Sequence, residues 1–453
     1  MKILFTQDAL VNAGAERSHL DILSRFSEEI DVGFVYFYPK HELKEAYERA
    51  GIRLFFLNIP EAYHFPLAIV RLVKLLRKEK PDLLVSSLWR ADIITRIASK
   101  ITGVPLVGTL VNDSYAPIAW TDKKGLKYKI VYWLDRWTAG IPIHWLANAQ
   151  ALADSHVKTL GIKREKISVV YRGRAVPVME PPGGNVSRWL SGARETSSRA
   201  DEGSAAISRS EKEKKNKTAS SAENSEIKPE LSDSSLPPRR AGAVTGQIRN
   251  FISYGRLLER KGFQDAIQAF AQVLKKYPDC TLTIFGEGPF RNNLESLIQE
   301  LELQATVFLP GKIPNPIEVL VNGYCPKPIV TLSGVEGPLT THNSLIKLHC
   351  FLFPSWYEGF SGALVEAMMA GMPIITSDIP MNLEAVTDQK SALVFPVQNV
   401  QSLTEKMLWA IENWNQMEVK GKEARRIAEM RFDIEKIAKG YEGVLKSIYA
   451  NLS

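Results

Sequence analysis

Short, almost uninterrupted apolar runs alternate with amphipathic stretches along the first part of the chain. "KILFTQ" (2–7), "DVGFVYFY" (31–38), "IRLFFLN" (52–58), "DLLVSSL" (82–88), "PLVGTLV" (105–111) and "ISVVYRG" (167–173) predict strands. "AERSHLDILSRFS" (15–27) and "PLAIVRLVKLLRKE" (66–79) predict helices between them. Strands apolar on both faces and separated by helices are the mark of a parallel sheet covered on both sides. The same rhythm restarts with "NFISYGRL" (250–257). It continues through a helix at "FQDAIQAFAQVLKKY", a strand "CTLTIFG", a helix "RNNLESLIQELE", and the strands "ATVFLPG", "HCFLFPS", "MPIITSD" and "ALVFPV". The pattern therefore predicts an α/β fold of two doubly wound, Rossmann-like units.

Between the halves the pattern disappears. From Ser191 to Asn250 there is no aromatic residue, and Ser, Glu, Lys, Arg and Ala dominate. Such a segment cannot bury enough apolar surface to offset its ordering entropy, so it is expected to be a disordered insertion. Its mixed charge and lack of aromatics favour a plain linker over a nucleic-acid tether. The expected domains are 1–183, the linker 184–249, a second domain 250–431, and a C-terminal helix 432–453 returning toward the first domain.

Composition narrows the class. The 453 residues carry a formal charge of +7, which permits contact with phosphates or an anionic surface without implying nucleic acid. Three dispersed cysteines, Cys280, Cys325 and Cys350, argue against a disulfide framework or a structural zinc site and favour a reducing, cytoplasmic setting. The opening "MKILFTQD" is expected to be a strand and not a signal peptide. No run of 18 apolar residues predicts a membrane span.

In open α/β sheets ligands bind beyond the carboxyl ends of the strands. Three loops there carry suggestive residues: Arg256 with Arg260, Lys261 and Gly262; Gly286-Glu287-Gly288-Pro289; and Glu358-Gly359-Phe360-Ser361-Gly362, leading into "ALVEAMMAG" with Glu366. Singly, each is a solvated cation, a tight turn, or a helix start capped by Ser361. Together they suit a phosphorylated, hydroxyl-rich ligand. A helix entered through glycines offers free N–H groups to a phosphate, Arg256 and Lys261 supply cations, and ionised glutamates accept from sugar hydroxyls.

These residues resemble a known family. Glu358 to Glu366 is similar to the E-x7-E motif of retaining glycosyltransferases of the GT-B fold, glycosyltransferase family four. "SYGRLLERKG" resembles that family's G-R-L-x-x-x-K-G loop, and "NAGAER" its first glycine loop; "FGEGP", "FPSWYEGF", "ALVFPV" and "RFDIEKIAKGYEGVLKSIY" fit as well. The resemblance implies transfer of a sugar from a UDP- or GDP-linked donor to a glycan or lipid-linked acceptor in polysaccharide or glycoconjugate biosynthesis, with retention and without metal or other cofactor. It implies that Glu358 holds the donor sugar, with Gly359, Phe360, Ser361 and Gly362 close by. Glu366 would hold the ribose, and Arg256 and Lys261 the diphosphate. Gly14 and Ala15 would close over the donor, and Gly286 would line the base pocket. The alternative is a non-catalytic nucleotide- or sugar-binding protein on the same fold.

The chain departs from the family at three places. Ala13 stands where the first loop usually has glycine. Where many relatives have an acceptor-side histidine, "GTLVNDSYAP" offers Asn112 and Asp113, either as acceptor ligands or as a plain turn. An insertion is expected at about 322–343. Finally, 122–145 combines Lys123, Lys124, Lys127 and Lys129 with Tyr128, Tyr132, Trp133 and Trp137. It reads either as a peripheral membrane contact or as a helix packing its aromatic face on the core.

Overall fold

The computed structural model describes residues 1–61, 64–115, 125–177, 249–313, 315–322 and 349–452. All but the last residue of the linker 184–249 and nearly all of the insertion at 322–343 lie outside them.

Two parallel sheets form from the predicted runs, the first with one further strand. The first has the order β3-β2-β1-β4-β5-β6-β7, from β1 (Lys2–Gln7), β2 (Asp31–Tyr36), β3 (Arg53–Phe56), β4 (Leu83–Ser86), β5 (Leu106–Leu110), β6 (His144–Ala147) and β7 (Ile167–Val169). The second has the order β10-β9-β8-β11-β12-β13, from β8 (Asn250–Tyr254), β9 (Thr281–Phe285), β10 (Val307–Phe308), β11 (His349–Phe353), β12 (Ile374–Ser377) and β13 (Leu393–Phe395). In each sheet the strand order reverses once, between β1 and β4 and between β8 and β11, and ligand crevices open at such switch points. Every residue of β4, β5, β9, β11 and β12 is buried, as expected of strands covered on both faces.

Helices α1 (Gly14–Leu23), α2 (Lys44–Arg49), α3 (Phe65–Glu79), α4 (Trp89–Thr102), α5 (Leu126–Thr138) and α6 (Gln150–Leu160) accompany the first sheet. The second carries α7 (Phe263–Leu274), α8 (Arg291–Glu300), α9 (Pro316–Asn322), α10 (Gly362–Met369), α11 (Pro380–Ala385), α12 (Val400–Glu412) and α13 (Trp414–Arg431). The last helix, α14 (Ile434–Ala450), buries Ile434, Ile437, Ala438, Tyr441 and Leu445 along one stripe. That stripe shares a core with Ile3 and Phe5 of β1 and Ile22 and Leu23 of α1. Each fully buried side chain of this kind contributes roughly 1.5–3 kcal/mol, so α14 is anchored on the first sheet.

The segment 122–145 departs from the reading that packs its aromatic face on the core, and its helix is shorter than expected. The helix stops at Thr138, where Gly140 and Pro142 follow, and a strand not predicted, β6, begins at His144. The aromatic face does not pack on the core as a whole. Leu126, Ile130, Trp133 and Trp137 lie on one exposed face, with Trp137 76% accessible. The inward face is held by polar groups instead. Asp135 accepts from Arg96 at 2.6 Å, and Tyr132 and Arg136 both donate to the Thr159 carbonyl at 2.8 Å. Lys123 and Lys124, and the side chain of Lys127, lie outside the described residues.

Candidate active site

The switch point of the second sheet is flanked by the loop 255–262 after β8 and the loop 354–361 after β11. Lys261 reaches across to Glu358 and donates to its Oε1, which also accepts from Ser355 Oγ at 2.9 Å. Arg260 stands 3.9 Å from Oε2 and stacks over the Tyr357 ring. Burial pushes the Glu358 carboxyl up, but Lys261, Arg260 and Ser355 together outweigh it and hold the group below the ordinary carboxylate range. Glu358 is therefore an ionised, fixed acceptor. Arg256 is exposed and makes no ion pair among the described residues, so the two cations expected to act together are in different states.

The helix α10 starts directly after this loop. Ser361 occupies the N-cap position, but its side chain makes no capping hydrogen bond, which leaves the first-turn N–H groups uncapped by it. The Phe360 side chain is buried and packs on Tyr171 and Phe432, with ring centroids 5.0 and 5.1 Å away. The ring of this residue therefore serves the core. Gly359 abuts the first sheet: a Cβ there would meet the Val111 carbonyl oxygen at 2.0 Å, so no larger residue fits. The Phe360 N–H donates to Asn148 Oδ1 at 3.3 Å, and Glu384 of α11 accepts from the Gln150 N–H at the start of α6. The two sheets thus meet at the glutamate loop.

Glu366 is neither solvated nor unoccupied. Its Oε1 accepts from Arg174 Nε at 2.5 Å and its Oε2 from the Tyr254 hydroxyl. A carboxylate offers about four acceptor positions, so two remain for a ligand. Arg174 also approaches Gly362, where a Cβ would lie 1.9 Å from its guanidinium. Gly286 is needed for packing, because a Cβ there would strike the Gly255 carbonyl at 1.9 Å. Asp113 is buried and accepts from Ser155 Oγ at 2.8 Å, whereas Asn112 beside it is exposed.

Around the start of α1 lies a cavity of about 40 Å³, lined by Ala15, Ser18, His19, Thr109, Asn148 and Arg172 among others. His19 is buried with Nδ1 at 2.7 Å from Gln7 Oε1, and burial followed by the nearby Arg172 charge lowers its pKa to about 4. Gly14, at the first position of α1, is exposed; a Cβ there would lie 3.5 Å from the Arg172 guanidinium. Arg172, Arg174, Tyr254 and Asn148 were not singled out by the sequence reading. The arginines had a signal: the run "ISVVYRGR" ends a strand on two cations about a glycine.

Comparison with known proteins bears on the family and the fold. The family described as "Glycosyl transferases group 1" matches residues 241–325 and 340–427, and "Glycosyltransferase Family 4" matches residues 13–175. An uncharacterized glycosyltransferase of Methanocaldococcus jannaschii, MJ1059, is 33% identical over 128 residues, 28% of this chain and 25% of that protein. The poly(glycerol-phosphate) alpha-glucosyltransferase of Bacillus subtilis is 25% identical over 202 residues, 44% of this chain and 26% of that protein. These matches span well under half the length of either curated relative. Among solved structures, Anabaena Alr3699/HepE in complex with UDP-glucose superposes with a TM-score of 0.68 over 99% of this chain and 100% of that one, at 19% identity. At that identity the likeness shows the fold, two Rossmann-like domains of GT-B type. With one family model on each sheet, the chain belongs to the group 1, family 4 glycosyltransferases.

Proposed function

We propose that the chain is a retaining glycosyltransferase that moves a sugar from a nucleoside diphosphate sugar to a glycan or lipid-linked acceptor. The observation that carries this reading is the arrangement at one switch point: two fixed carboxylates, Glu358 and Glu366, on either side of an uncapped helix start, with Lys261 and Arg256 on the facing loop. Glu358 accepts from hydroxyls of the transferred sugar. Glu366, within α10, accepts from the ribose. The diphosphate lies between them at the α10 N-terminus. The complex of Alr3699/HepE with UDP-glucose supports a donor of this class.

In the reaction the bond from the anomeric carbon to the β-phosphate oxygen breaks, and its electron pair stays on the diphosphate. The acceptor oxygen bonds to the same face of the sugar, and its proton passes to the departing phosphate oxygen. Charge grows on the diphosphate as that bond lengthens, so preorganised cations and N–H groups aimed there bind the transition state better than the substrate. The cation Lys261 is neutralised by Glu358 in this state. A donor that takes hydroxyl contacts from Glu358 leaves Lys261 to turn to the phosphate.

No metal has a part in this reading. The decisive test is a panel of UDP- and GDP-linked sugars with the purified chain, scored for release of the free nucleoside diphosphate, with and without EDTA. Slow release that EDTA leaves unchanged is the expected result. Thermal stabilisation by a nucleotide with no release from any donor would favour a non-catalytic binding protein instead.

A further inference from the structure

The segment that ends β7, Tyr171-Arg172-Gly173-Arg174, points one arginine at each of the two glycine-led helix starts. Arg174 lies against Gly362 at the start of α10, and Arg172 lies 3.5 Å from where a side chain at Gly14, at the start of α1, would begin. A cation beside a helix N-terminus is in an unfavourable place, because both carry positive charge. Arg174 is compensated by its bond to Glu366. Arg172 makes no hydrogen bond or ion pair among the described residues, and its guanidinium lines the cavity beside α1. Burial and Arg174 bring its pKa down to about 10, so it stays charged at neutral pH. The cavity it lines also holds Asn148, whose Oδ1 accepts from the Phe360 N–H, two positions past Glu358.

An unpaired, largely buried cation at a helix start calls for an anion, and the position selects which one. Resting on the donor-site reading above, we propose that Arg172 binds the β-phosphate of the nucleotide-sugar donor from the side of the first sheet. Through that cavity Arg172 borders the Glu358 loop, where the transferred sugar lies, whereas Glu366, on the ribose side, already has Arg174 as its cation. The β-phosphate is the donor's only anionic group bonded to that sugar. Held this way, the β-phosphate meets one cation from each domain, Arg172 from the first and Lys261 or Arg256 from the second. Donor binding then joins the two.

Calorimetric titration of the full chain with UDP, UMP, GDP and GMP tests the assignment, using wild type, Arg172→Ala and Arg172→Lys. With the preferred base, Arg172→Ala is expected to weaken the diphosphate roughly 10-fold, the loss of one charge-assisted hydrogen bond, while the monophosphate changes by less than about twofold. Arg172→Lys should recover part of the loss. Unchanged diphosphate affinity in both variants would overturn the assignment, as would equal weakening of mono- and diphosphate. A slower transfer with intact diphosphate binding would overturn it in favour of an anionic acceptor. Wild type that binds neither UDP nor GDP would overturn the donor-site reading and this assignment together, whereas the other outcomes strike the assignment alone.

Discussion

Arg174 and Glu366 are 192 positions apart in sequence and joined by a 2.5 Å ion pair, between the segment that leaves the first sheet and helix α10 beside the second. Both side chains are largely buried, at 12% and 16% exposure. Removing one partner of such a pair leaves an uncompensated charge, which costs more than removing both. Arg174→Ala is therefore expected to destabilise the fold by about 3–5 kcal/mol. The double variant Arg174→Met/Glu366→Met should recover much of that loss in denaturant unfolding. A single variant as stable as wild type would show that the pair is not formed in solution.

Lys261 and Arg256 are expected to act in turnover. Replacing either by Ala should lower kcat by roughly 100-fold, about 3 kcal/mol, the loss of one preorganised donor to the leaving group. Steady-state hydrolysis or transfer with a folded variant measures this. Because Lys261 also neutralises Glu358, its removal should additionally lower the thermal midpoint, whereas loss of the exposed Arg256 should not.

His19 gives a pH signature. Its folded pKa of about 4 lies below the ordinary value of 6.5, so the unfolded chain binds the proton first as pH falls. The stability it supports is complete above 6.5 and is lost as pH drops from there toward 4. Relative to His19→Gln, wild type should lose roughly 1.5 kcal/mol between pH 6.5 and pH 5. Comparing the two proteins cancels the opposite trend of Asp8, whose pKa burial raises to about 6. A difference in unfolding free energy that stays constant over that range would refute a neutral His19.

The exposed face of α5 predicts association with lipid. Trp133 and Trp137 stand side by side, with ring centroids 6.4 Å apart, and Lys129 is also exposed on this helix. Aromatic rings with adjacent lysines suit an anionic bilayer interface. Sedimentation with anionic vesicles should exceed that with neutral ones, and Trp133→Ser/Trp137→Ser should reduce it severalfold. Equal recovery of wild type and variant would leave this face without a membrane role.

The fold was legible because the strands are buried on both faces and read as apolar runs. The exception, β6, was hidden inside "IPIHWLANA", where a helix and a strand are separated by only five residues, Ala139 to Ile143. The two glutamates and Lys261 were found through spacing within short loops. Their partners were not: Arg174 and Tyr254 reach Glu366 across 192 and 112 positions, a distance over which no periodicity speaks. Phe360 was expected beside the donor as part of the glycine loop, and nothing local in the sequence shows that its ring is buried by Tyr171 and Phe432. An amphipathic pattern also does not say which face turns inward. In α5 the buried Asp135–Arg96 pair holds the helix by its polar side and leaves the tryptophans outside.

On the proposed function, one switch point holds a whole nucleoside diphosphate. A crystal structure of the chain grown with UDP or GDP checks this. Ribose hydroxyls are expected on Glu366, the diphosphate at the start of α10 within reach of Lys261, Arg256 and Arg172, and Glu358 facing the space beyond the β-phosphate. A nucleotide bound elsewhere, or bound here with its ribose away from Glu366, would contradict it.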